Sequence, residues 1–90
     1  MSQARIAMFE AALTASLHPT QLHIVDESHL HAGHAGAASG GGHFRITLTS
    51  SLFEGLSRVA RHRLVYDALQ SHIPQEIHAL AIHALSPSEI

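Results

Sequence analysis

Cysteine and lysine are both missing from this chain of 90 residues, and each absence narrows what it can do. Without cysteine there are no disulfides, and the chain cannot offer thiolates to a metal. Without lysine, five arginines face seven acidic residues and the formal net charge is -2. Nucleic-acid binders gain much of their affinity by neutralising phosphates with Lys and Arg, so the electrostatic case for such a role starts weak. Long apolar runs are missing as well. The segment Met1 to Leu17 has an apolar face, but Glu10 interrupts it, so it reads neither as a signal peptide nor as a membrane span, and a cytoplasmic location is expected.

What remains is 46% hydrophobic and only 13% charged, the profile of a single compact domain over residues 1–90. A chain of this size buries only roughly 60 to 65% of the surface that its unfolded form exposes. Function is therefore expected on edges and loops. Ten histidines stand out against this background, because His is the side chain best suited to metals or pH sensing near neutrality.

Ile6, Phe9, Leu13 and Leu17 recur at three- and four-residue spacing after Ser2, which predicts an amphipathic helix ended by His18-Pro19. Gln21 to Asp26 reads as a short strand. Phe44 to Thr49 alternates, with Phe44, Ile46 and Leu48 on one face and Arg45, Thr47 and Thr49 on the other. Between these strands, Ser28 to His43 holds five of the six glycines and four of the ten histidines. That composition predicts a flexible His/Gly-rich loop over 29–43.

Ser50 or Ser51 caps a short helical turn through Leu52 and Phe53, and Gly55 breaks it. Ser57 then caps a longer helix whose Val65, Leu69 and Ile73 form one stripe, with Pro74 as the stop. Ile77 to Leu85 alternates again, with His78, Leu80 and Ile82 set against Ala79, Ala81 and His83, which predicts a third strand. Ser86-Pro87-Ser88-Glu89 carries a capping Ser, a Pro at the first helical position and a capping-box Glu. The predicted order is αββααβ with a nascent last helix, an α/β (α+β) domain whose one three-stranded mixed sheet is covered by helices on one side.

Several strings within this pattern are specific. They are Val25-Asp26-Glu27-Ser28, Phe44-Arg45-Ile46 with Ser50 and Phe53-Glu54-Gly55, Arg61-His62-Arg63-Leu64-Val65-Tyr66, Ile77-His78-Ala79-Leu80 and Pro87-Ser88-Glu89. Together they resemble the BolA family over nearly the whole chain. The resemblance implies a fold similar to type II KH domains. It also implies partnership with a monothiol glutaredoxin of the CGFS type, in a heterodimer that holds a bridging 2Fe-2S cluster. The isolated chain is then expected to hold no tightly bound cofactor and to be a monomer or a weak homodimer. Members of the family are also described as transcriptional regulators of cell shape and stress responses.

From spacing alone, His78 reads as a histidine packed at the mouth of a strand, since it shares parity with Leu80 and Ile82. The resemblance instead makes His78 the cluster ligand, with His31 of the loop as its companion. His29 and His34 flank His31 and are the alternatives. Imidazole in place of thiolate on one iron is the chemistry of Rieske centres, and the glutaredoxin's cysteine and bound glutathione would supply sulfur to the other iron. The string from His29 to His34 also invites a zinc or nickel reading. A structural site needs four fixed ligands, however, and a glycine-rich loop does not fix them. No role is assigned to His18, His23, His72 or His83.

Arg58, Arg61 and Arg63 place three of the five arginines on one stretch of helix beside His62, a candidate nucleic-acid or partner surface. Glu54 and Asp67 flank it and reduce its weight. KH domains grip nucleic acid with a GXXG loop between two helices. Gly33-His34-Ala35-Gly36 has that form but lies between strands, so DNA binding ranks second. No nucleophile elbow, phosphate loop or paired carboxylates are recognisable, and the chain is not expected to be an enzyme.

Overall fold

The computed structural model describes residues 2–27, 42–73 and 77–90. Helix α1 (Ser2–Leu17) is rich in alanine, which loses no side-chain entropy in a helix, and it buries Phe9, Leu13 and Leu17 at four-residue intervals. It ends at His18, whose φ of 47° is left-handed and whose N–H donates to the Thr14 carbonyl. Glycine usually occupies such a position, and Pro19 immediately after it prevents continuation.

Strand β1 (Gln21–Asp26) pairs antiparallel with β2 (Gly42–Thr49), and β2 pairs parallel with β3 (Ile77–Leu85), so the sheet order is β1-β2-β3. One three-stranded mixed sheet in an α+β domain is the architecture expected from the alternation. Helix α2 (Arg58–Ala68) starts at Ser57, whose hydroxyl accepts a hydrogen bond from the Ala60 N–H. The parallel connection from β2 to β3 runs through this helix, the usual form of such a crossover.

The core lies between the helices and one face of the sheet. Phe9, Leu13 and Leu17 meet Ile24, Phe44, Ile46 and Leu48, with Phe53, Val65, Leu69 and Ile77 closing the sides. Phe9 and Phe44 meet edge to face, with ring centroids 5.0 Å apart. Each fully buried side chain of this size contributes about 1.5 to 3 kcal/mol relative to exposure, so these few residues supply most of the driving force.

Three sequence expectations are corrected. Helix α2 stops at Ala68, and a 3-10 turn over Gln70–His72 follows, so Ile73 is not part of the helix. The predicted last helix is a single 3-10 turn over Pro87–Glu89, although its capping box forms as expected. The loop expected to run through His43 ends sooner, because Gly42 and His43 already belong to β2. The Glu27 N–H donates to the His43 carbonyl at 2.7 Å, which carries the ladder one step past β1.

Candidate functional site

Two places on the molecule gather chemically useful side chains. The first is the end of the sheet where β2 and β3 begin. Gly42 lies opposite Ile77 and His43 opposite Ala79, so His78 is an extra residue in β3, a β-bulge. A bulge lets one strand change which side its residues face. Ile77 can therefore be buried in the core while His78, its immediate neighbour, is exposed. Simple alternation from Leu80 and Ile82 would have placed His78 on the inner face, and the bulge overrules it.

The exposed His78 ring stands beside that of His43, with centroids 5.4 Å apart and planes inclined by 50°. His43 is half-buried, and its Nε2 is shielded from solvent. A shallow cavity of about 290 Å³ runs along the adjoining surface, lined by Glu27, His43, Arg45 and Ala81 among others. Arg45 Nε donates to Glu27 Oε2 at 3.0 Å, an exposed ion pair of the kind that contributes about 0 to 1 kcal/mol. That spacing is the ordinary packing distance of two rings, about 4.5 to 7 Å. Among the described residues no group of three or more His, Cys, Asp or Glu gathers where it could hold a metal ion.

His31, His29 and His34 lie outside the described residues. The sequence does not single out His43, which falls within the predicted loop but lies in β2. It shares parity with Arg45, Thr47 and Thr49, and extending that alternation backwards by one step would have placed it in the strand.

The second place is a cleft of about 500 Å³ between α2 and β3, lined by Arg58, Arg61, His62, His83 and Glu89 together with apolar residues. Arg58 and Arg63 are exposed, and His62 is half-buried. Arg61 plays a different part. Its guanidinium donates to the carbonyls of Leu56 and Ala84 at 3.0 Å each and to Glu89 Oε1 at 2.6 Å, and its side chain is only 11% exposed. It joins the start of α2 to β3 and to the last turn. The Arg61 hydrogen bond, followed by those from the Ser86 backbone and hydroxyl, lowers the Glu89 carboxyl from its usual 4.5 to about 2.

A small mixed sheet with two helices on one face and paired imidazoles at an exposed bulge defines a histidine-presenting α+β domain. Residues 13–89 match the BolA-like protein family. The chain is 42% identical over 83 residues to BolA-like protein 1 of Mus musculus, covering 92% of this chain and 58% of that protein. It is 39% identical over 82 residues to the DNA-binding transcriptional regulator BolA of Vibrio cholerae, covering 91% of this chain and 74% of the relative. The solved BolA domain of SufE1 from Arabidopsis thaliana superposes with a TM-score of 0.84 at 39% identity, covering 96% of this chain and 95% of that one. The chain belongs to the BolA-like family, as its strings implied. No described helix is long and apolar enough to cross a membrane.

Proposed function

We propose that this chain is a non-catalytic cytoplasmic adaptor that binds a monothiol glutaredoxin of the CGFS type and lends histidine nitrogen to a bridging 2Fe-2S cluster. The observation that carries this reading is the exposed His78 beside His43, at 5.4 Å between ring centroids, in a chain with no thiol of its own. His78 is the principal ligand and His31 the companion implied by the family resemblance. The glutaredoxin's cysteine and glutathione would hold the other iron, and the cluster, once bound, supplies electron-transfer or cargo chemistry. The part of this chain is to present a neutral imidazole, because a protonated ring cannot coordinate. The free chain is a monomer or a weak homodimer in this reading.

The test mixes the protein with a CGFS glutaredoxin, glutathione, iron and sulfide, then follows size and visible absorption. A heterodimer whose spectrum differs from that of the glutaredoxin alone is expected, and His78→Ala should abolish the difference. A heterodimer spectrum unchanged by His78→Ala would overturn the assignment.

A second reading, direct DNA binding, is favoured by the α2–β3 cleft with Arg58 and His62 on its wall. The Vibrio cholerae relative, a DNA-binding regulator by name, points the same way. Arg58→Ala with Arg63→Ala should then weaken duplex binding and flatten its salt dependence, since each lost phosphate contact releases fewer counterions. Duplex binding that ignores both the substitutions and the salt concentration would remove this reading.

A further inference from the structure

We propose that the open edge of β3 is a self-association surface, on which a second copy of this chain adds its own β3 antiparallel and makes one continuous sheet across a two-fold axis. This gives the weak homodimer of the reading above a surface, and it rests on that part of the reading alone.

Backbone direction shows which groups the edge offers. β3 is the last strand in the order β1-β2-β3, so among the described residues no strand lies on its outer side. The Leu85 carbonyl accepts from the Ser50 N–H and therefore points towards β2. The Ala84 carbonyl points the opposite way and takes the Arg61 guanidinium at 3.0 Å. Successive residues of a strand alternate in this respect, so Ile82 and Leu80 also turn their N–H and C=O groups to the open edge. Ile82 and His83 line the cleft between α2 and β3, so the helix stands off from the edge there.

The side chains fit a second copy. Edge strands are ordinarily guarded by charge or proline. From Ile77 to Leu85 there is no Asp, Glu, Lys, Arg or Pro, so nothing repels an identical strand. The bulge at His78 disturbs the edge below, and Arg61 occupies Ala84 above. Ala79 to His83 is the regular stretch between them, and Ala81 is its centre. With the axis at Ala81, Leu80 of one copy lies opposite Ile82 of the other, and each such pair exchanges both backbone hydrogen bonds. The half-buried Leu80 and Ile82 then cover each other on the inner face. On the outer face Ala81 meets its own counterpart at a Cα spacing of about 4.5 Å, where a methyl fits. Five residues span only roughly 17 Å, short of what the standard interface of about 800 Å² per partner needs, so the dimer is weak.

The test is sedimentation equilibrium of the isolated full chain, with a chelator present so that histidines cannot be bridged by metal. We expect a reversible monomer–dimer equilibrium between about 10 μM and about 1 mM, the range that brackets weak association. Ala81→Glu and Ala81→Arg should each weaken it by about fivefold or more, because like charges then meet across the axis. Mixing the two variants should restore association as a heterodimer. Ala81 is exposed, and circular dichroism with thermal melting confirms that each variant folds. His23→Glu, on the exposed face of β1 at the other edge, should leave association unchanged. A chain that stays monomeric throughout would overturn the proposal, as would a dimer indifferent to charge at Ala81 or one lost with His23→Glu. Cluster formation with the glutaredoxin is read separately. A normal heterodimer spectrum from a chain that never self-associates sinks this proposal alone, and self-association without that spectrum sinks the cluster reading alone.

Discussion

The two ends of the sheet are built on opposite principles. Where β2 finishes, three polar residues, Thr49, Ser50 and Ser86, are buried. The Ser50 hydroxyl donates to the Leu17 carbonyl at 2.6 Å and accepts from the Leu52 N–H, while the Ser50 N–H donates to Leu85. One small residue thus ties α1, β3 and the following turn. Where β2 begins, an exposed ion pair, a bulge and two imidazoles face outward. The buried polar ties lie at one end, while at the other the outward face carries polar groups over a core that Phe44 and Ile77 still close.

Ser50→Ala should break this contrast hardest. It strands the Leu17 carbonyl and removes the cap of the 3-10 turn over Ser51–Phe53, for a loss of about 1 to 3 kcal/mol in urea unfolding. By contrast His78→Ala, at the open end, should stay within about 0.5 kcal/mol of the native protein in the same measurement. Equal losses at both ends would show that the division of labour is wrong.

Arg61 sharpens the comparison within the finished end. Arg61→Ala removes three hydrogen bonds from a nearly buried guanidinium, and a loss of about 1 to 2 kcal/mol is expected. Arg58→Ala, three residues away on the same helix and exposed, should cost no more than about 0.5 kcal/mol. If thermal melting shows the reverse order, Arg61 is a contact residue and not a strut.

The smallest effect concerns acid. The Glu89 carboxyl is lowered from 4.5 to about 2 in the folded chain, so its stabilisation is complete above pH 4.5 and disappears as pH falls towards 2. The group is exposed and solvent screens it, so the slope should be slight. Glu89→Gln should flatten unfolding free energy against pH across this window and leave it unchanged in shape above pH 5. An identical acid slope in the variant would show that Glu89 is not its source.

Much of this organisation is legible along the chain. Alternation in Phe44, Ile46 and Leu48 marks the inner face of β2, four-residue spacing marks Phe9, Leu13 and Leu17, and all six are buried. Both rest on local periodicity, which a single segment contains in full. The family strings are equally local, and with them the candidacy of His78. The end of α2 was less legible. Ile73 continues the stripe of Val65 and Leu69 at four-residue spacing, yet the chain tightens into a 3-10 turn first. Periodicity marks a face and does not say where a helix gives way to a tighter turn.

By itself, then, the sequence determined the order of the elements, the faces they bury, the family and the absence of thiolate from any metal chemistry. Tertiary structure decided the rest. Whether His78 faces the core or solvent depends on the register of β3 against β2, and register is a property of two strands, invisible in either alone. The meeting of His43 with His78 and the use of Arg61 as a strut between α2, β3 and Glu89 have the same origin. Each joins residues more than twenty positions apart in the chain, and only the packing of the core brings such residues within reach.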